Sequence, residues 1–167
     1  MKTAFVLPLI FAATVAFGAD QSADPQLART LAGVPVTLEQ GIMTSAAEGK
    51  PISAKYELEV DGLQLSIYTM NGDSFKEVIV DHRSGRIAKV IPITDRGDLG
   101  EATEQRDIML HAKRSLQDAA AEAVARHSGY RAVSAMPGSE GGRLVASVLL
   151  TNGNQWKTVN VPLDLGD

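Results

Sequence analysis

Residues 71–85 read NGDSFKEVIVDHRSG. Asn71-Gly72 opens a tight turn, Phe75 to Asp81 is a strand of alternating apolar positions, and Asp81 to Gly85 is a second turn with glycine at its left-handed position. Most of the first half returns as NGNQWKTVNV, residues 152–161. Asn71-Gly72 matches Asn152-Gly153, Phe75 matches Trp156, Lys76 matches Lys157, and Val78 and Val80 match Val159 and Val161, all at one sequence offset, 81. An ordered set of matches at one spacing marks an internal repeat. The expectation is one small α+β unit used twice: two tandem lobes, each a helix packed on a three- to four-stranded antiparallel meander.

The residues before this stretch complete the first unit, 37–94. Thr37-Leu38-Glu39-Gln40 has capping-box spacing, and Leu38, Ile42 and Ala46 form one apolar stripe on a short helix reaching about Glu48. Gly49 suits the conformation that ends a helix, and Pro51 stops its continuation. Tyr56, Leu58 and Val60 then alternate with Lys55, Glu57 and Glu59; Asp61-Gly62 signals a hairpin; Leu63, Leu65 and Ile67 lie on the partner strand. Arg86 to Ile93 is expected as a fourth strand.

Beyond it, Ile91 to Gly100 reads as a linker rich in Pro, Gly and charge. Glu101 to about His127 is Ala-rich and free of Gly and Pro, with acids early and bases late, and is expected to be one long helix or two. Residues 95–114 thus serve as linker and connecting helix, and 115–167 as the second unit. Ser115-x-x-Asp118 repeats the Thr37 cap at an offset of 78, and Leu116, Ala120 and Val124 repeat the stripe. The change in offset from 78 to 81 is assigned to a longer hairpin loop at Pro137 to Gly142.

With the repeat laid out, the chain resembles the PepSY family. The helix near Thr37, the hairpin and the run Val78 to Ile87 (VIVDHRSGRI) carry the likeness. That run is similar to the family's closing pattern of apolar strand, Asp, two variable residues, Thr or Ser, Gly, base and apolar residue. The likeness covers Thr37 to about Ile93; the second unit keeps helix and strands without the Asp-x-x-Ser-Gly turn. The family is known from propeptides of thermolysin-like metallopeptidases and from free-standing exported bacterial proteins. The resemblance therefore implies a protein partner, with a peptidase as one candidate, and an inhibitory or chaperoning role.

Composition bounds the function. At 167 residues, 44% hydrophobic and 22% charged, the chain lies in the ordinary globular range. Met1-Lys2 followed by the uncharged run Ala4 to Phe17, ending in Ala16-Phe17-Gly18, fits a cleaved export signal over residues 1–18; the run is short for a spanning helix and Pro8 interrupts it. Residues 19–36 are expected as an irregular lead-in. Losing Lys2 takes the net charge from −4 to −5, which argues against nucleic acid and against anionic membrane surfaces. With no cysteine, no disulfide can form, so stability rests on packing. A bacterial periplasm or the exterior is the expected location, with no stable membrane insertion after cleavage. Oligomeric state is not legible.

No catalytic, cofactor or metal site is expected. His82, His111 and His127 lack paired ligand spacing, and His127 suits a helix C-terminus. Gly138-Ser139-Glu140-Gly141 is one residue off a nucleophile elbow and reads as loop. Glu57, Glu59 and Asp61 share one strand face and read as a solvated row. The candidate partner-contact residues are Phe75, Trp156, Asp81 and His82. Strict alternation turns both aromatics away from the valines of their strands, where they form contact patches, unless a bulge turns them inward or they pack beneath the long helix or between the lobes. A sheet edge offered to a partner strand is a further route to binding. A groove for a small ligand or metal, as in a sensor protein, is the alternative.

Overall fold

A computed structural model describes residues 24–165; the export signal expected over residues 1–18 lies outside them. The first described element corrects the sequence reading, which has an irregular lead-in here. Helix α1 spans Pro25–Leu31, with Asp24 as N-cap accepting from the Gln26 N–H and Pro25 in the first turn. Leu27, Ala28 and Leu31 are its buried positions.

Helix α2, Leu38–Ser45, starts at the expected capping box: the Gln40 N–H donates to Thr37 Oγ1 at 3.2 Å and the Thr37 N–H donates to Gln40 Oε1 at 2.8 Å. Its buried stripe is Leu38, Gly41, Ile42 and Ser45. Ala46, expected on that stripe, is exposed, because the last turn tightens to a 3-10 turn over Ala46–Glu48 and rotates it outward. Gly49 follows at φ +148, where a Cβ would stand 2.6 Å from the Met70 carbonyl oxygen.

Strands β1 (Lys50–Glu59), β2 (Gly62–Asn71), β3 (Ser74–Val80) and β4 (Ile87–Pro92) make the expected meander. Helix α3 (Arg96–His111) and helix α4 (Leu116–Ala125) follow, then β5 (Arg131–Glu140), β6 (Arg143–Thr151) and β7 (Trp156–Pro162). The long helical stretch is therefore two helices. The chain turns extended at Ala112, the Lys113 and Arg114 N–H groups donate to the Leu163 carbonyl, and Ser115 caps α4 by accepting from the Asp118 N–H. Part of the expected linker is helix as well. Asp95 caps α3, so residues 96–100 are its first turns despite two glycines.

The strands expected in two lobes form one antiparallel sheet, ordered β4-β3-β2-β1-β5-β6-β7. Its halves meet between β1 and β5 through two register pairs, Ala54 with Ala135 and Lys55 with Ser134. A bulge falls between Pro51 and Ser53 in β1 and another between Ala132 and Ser134 in β5, again at the offset of 81. The Pro137 to Gly142 loop is a correction. Residues 137–140 continue β5, and Gly141-Gly142 alone make the turn, both at positive φ. The extra length of the second unit lies instead between α4 and β5, and α4 is itself longer than α2.

Helices α2 and α4 pack on each other and on one face of the sheet; α3 lies on β1 and β5 across the other. Tyr56, Leu65, Ile67, Val78, Val80, Ala135 and Val148 share the first face by register. Arg131 ties α1 and the chain after it to this layer. Its guanidinium donates to the carbonyls of Leu31, Val34 and Val36 and stands 5.9 Å from the Tyr56 ring centroid, while the Tyr56 hydroxyl donates to the same Val36 carbonyl at 2.8 Å. Burial pushes the Tyr56 phenol up to about 12, against the pull of Arg131. Among the described residues no helix is long and apolar enough to cross a membrane.

Two substitutions test this account. Arg131→Ala strips three carbonyls of a cationic donor and should lower unfolding free energy by about 3 kcal/mol, with residues 24–36 released first in limited proteolysis. Gly49→Ala should cost more than about 1 kcal/mol in chemical denaturation, since a side chain at that φ also meets backbone.

Candidate functional site

Two turns meet at one end of the sheet. The β1–β2 hairpin ends there at Val60-Asp61, and β3 runs into β4 there through Asp81 to Gly85. Asp81 builds its own turn. Its carboxylate accepts from the N–H of Ser84 at 2.6 Å and of Arg83 at 3.1 Å, its carbonyl accepts from the Gly85 N–H, and its N–H donates to the Arg86 carbonyl. This is the local backbone bonding that its residue type and position forecast. Ser84, through backbone and hydroxyl, and then the Arg83 N–H hold the Asp81 carboxyl below the usual carboxylate range.

Between these turns and the N-terminal end of α3 lies an open cleft of about 610 Å³. Glu57, Glu59, Asp61, Glu77, Asp81 and Asp98 line it, against Lys55 and His82 as the basic groups. Lys55 is bound to Glu57 at 2.6 Å, and the Ser66 hydroxyl donates to Glu77 at 2.5 Å. Tyr68 faces the same space, paired in register with Glu77. Burial first, then the charges of Asp98, Glu77, Glu101 and Glu57, push its phenol well above the ordinary tyrosine range, so it remains a hydrogen-bond donor. Val60 stands fully exposed at the rim. Such a cleft attracts cations and offers carboxylate acceptors plus one phenolic donor. Among the described residues no three His, Asp or Glu side chains converge as a metal-ligand group.

The four contact residues expected from the sequence do not come together. Asp81 and His82 are half-buried on the cleft. Phe75 is at the opposite end of β3, 6% exposed, on the α3 side of the sheet with the Arg106 guanidinium 5.9 Å from its ring centroid. That guanidinium is fixed in turn by Asp73 at 2.7 Å and by Asp107. Phe75 packs beneath the long helix, one of the expected alternatives, which leaves it almost no surface. Trp156 is half-buried in β7, at the far edge of the sheet. Both aromatics lie opposite their valines, as alternation requires. His127 brings Nδ1 within 2.8 Å of the Ala123 carbonyl at the end of α4, and His111 does the same with Asp107 in α3.

Sequence reasoning missed Tyr68, Glu77, Lys55 and Asp98. Tyr68 and Glu77 were recoverable from alternation, since both fall on the face opposite Ile67 and Val78. Asp98 was not, because only the path of α3 across the sheet brings it there.

No family model matches the chain, and no curated protein matches it. Among solved structures, a crystal structure of a "putative lipoprotein" from Clostridium difficile 630 is similar, with a TM-score of 0.45 and 10% identity, over 80% of this chain and 90% of that one.

The Asp81 turn carries a pH prediction. A carboxyl held low in the folded state stabilises that state above the unfolded-chain value of about 3.9, and the contribution disappears as pH falls through the depressed folded value. Carboxyl-detected NMR titration should place the Asp81 midpoint below that of a denatured-state Asp. Asp81→Ala should speed amide exchange at Arg83 and Ser84 at neutral pH; unchanged exchange would contradict the bonding.

Proposed function

We propose that this chain is an exported, non-enzymatic binding module of two PepSY-like units that modulates a protein partner by steric occlusion. A periplasmic or secreted peptidase is the partner class the resemblance indicates. The single observation that carries this reading is the cleft at the end of the sheet, open, acidic and rimmed by the two turns. Its complement is a protruding basic segment on the surface of a partner. Within the Val78 to Ile87 run that carries the resemblance, Ile79 to His82 line this cleft. Supporting the twofold use of one unit are the recurrence of cap, bulge and Asn-Gly turn, with Gly72 and Gly153 both at positive φ. The apolar run before residue 18 supports export.

A second reading has one observation in its favour. The cleft's 610 Å³ lies within the roughly 300–1,000 Å³ of small-molecule sites. A small organic cation would be its occupant, and the protein would then act as a sensor.

The test is inhibition. Peptide hydrolysis by thermolysin-like and other exported peptidases should fall as the purified mature protein is added, and inhibition should weaken with salt. The double variant Glu57→Lys with Glu59→Lys should raise the inhibition constant about ten-fold or more, equivalent to about 1.4 kcal/mol. Full inhibition by that variant would remove the cleft from the mechanism. A melting-temperature rise with small organic cations, and no effect on any peptidase, would favour the second reading.

A further inference from the structure

Strands β4 and β7 are the two edges of the sheet, and they are built differently. The β3–β4 register slips between Ile79 and Val80, leaving Ala88 as an extra residue in β4, and the strand carries Lys89 and ends at Pro92. β7 likewise carries Lys157 and ends at Pro162, so the feature that blunts β4 alone against further pairing is its bulge. The β6–β7 register runs unbroken from Val145 with Pro162 to Thr151 with Trp156. Between Lys157 and Pro162, β7 presents Thr158, Val159, Asn160 and Val161, with neither bulge nor charge. Among the described residues no strand lies on its outer side.

Strand β7 repeats β3, and β3 does have an outer neighbour. Val78 pairs with Val90 of β4 and is 0% exposed, whereas its counterpart Val159 is half-buried. Phe75 is 6% exposed and its carbonyl accepts from the Ile93 N–H at the end of β4, whereas Trp156 is half-buried. Glu77 and Ile79 are half-buried where Thr158 and Asn160 are exposed. Among the described residues nothing fills beside β7 the place that β4 fills beside β3, and Trp156 and Val159 are the half-buried side chains that such a neighbour would cover.

We infer that β7 takes up an extended segment of a partner protein as an eighth strand, antiparallel to it. Its neighbour in the other half specifies the chemistry of the occupant. Val90 opposes Val78, so the occupant sets an aliphatic side chain against Val159; Val161 is already buried, as Val80 is. Backbone hydrogen bonds along β7 provide the affinity and the Val159 position the selectivity. β4 carries Lys89 and follows Arg86, a positively charged strand on a chain of net charge −4. A second copy would bring that same negative charge to the edge, so a basic, aliphatic segment is the better complement. This site is separate from the acidic cleft and does not depend on it.

The probe is a synthetic peptide of residues 86–93, RIAKVIPI, titrated into the wild-type protein labelled for NMR, with a scrambled peptide as control. Chemical-shift changes should concentrate in residues 156–162, and β7 amides that exchange freely should slow at least about ten-fold, as expected on gaining a strand partner. Changes confined to residues 57–61 and 81–82, changes in β3 from replacement of its own β4, or no change at millimolar peptide would each overturn the proposal. So would sedimentation showing a dimer without peptide in which the same β7 amides are protected, which would assign the edge to a second copy.

Discussion

The structure depends on a seam that is short in hydrogen bonds and long in packing. β1 and β5 share two register pairs, yet everything on either side of them belongs to one sheet. Two pairs do not hold two half-sheets together in water, since even an isolated two-stranded hairpin is marginal. The layers on either face supply the rest. α2 and α4 meet over one side of the seam and α3 crosses the other. Small side chains make the close approach possible: Ala54 and Ala135 at the seam, Ala119, Ala120 and Ala123 on α4, and Gly41 on α2, where even a Cβ would come within 2.5 Å of Leu65. Large residues at those places would push the helices off the sheet.

Polar anchors fix the layers at their ends, where packing alone leaves freedom to slide. Arg131 holds three carbonyls before α2, and Lys50 donates to the Met109 carbonyl near the end of α3. Arg114 is bonded to Glu122 of α4, and its N–H donates to the Leu163 carbonyl beyond β7. A partly desolvated guanidinium or ammonium on several acceptors is a directional clamp, unlike the apolar contacts around it. Arg131 and Lys50 are the first residues of β5 and β1, corresponding places in the two meanders. Equivalent positions thus hold different neighbours in the two halves.

That divergence makes the halves structurally unequal. The first half has a fourth strand and an Asx turn, which wall an acidic cleft with the N-terminal end of α3. Among the described residues the second half has no strand on the outer side of β7. One face attracts charge; one edge offers backbone. Neither group of residues is demanded by the core, which is satisfied without Val60, Thr158 or Asn160.

The sequence by itself determined the local elements. Period-two alternation, the Thr37–Gln40 box, the Ser115 cap and the Asn-Gly turns are decided by neighbours within a few residues, and they stand where they read except at Val60, which falls in the hairpin turn beyond β1 and is fully exposed. Its local errors have local causes. Proline and glycine at Pro137-Gly138 imitate a loop within a strand, Gly97 and Gly100 imitate a linker within a helix, and Asp24-Pro25 is a helix start in a polar stretch. What only the tertiary structure decided were the relations between elements: the two meanders joined through β1 and β5, the path of α3 across the sheet, Phe75 under Arg106 and Trp156 near an edge. Pairing of strands so distant along the chain, and the face on which a helix lands, depend on burial summed over the whole molecule. No window of sequence contains that sum.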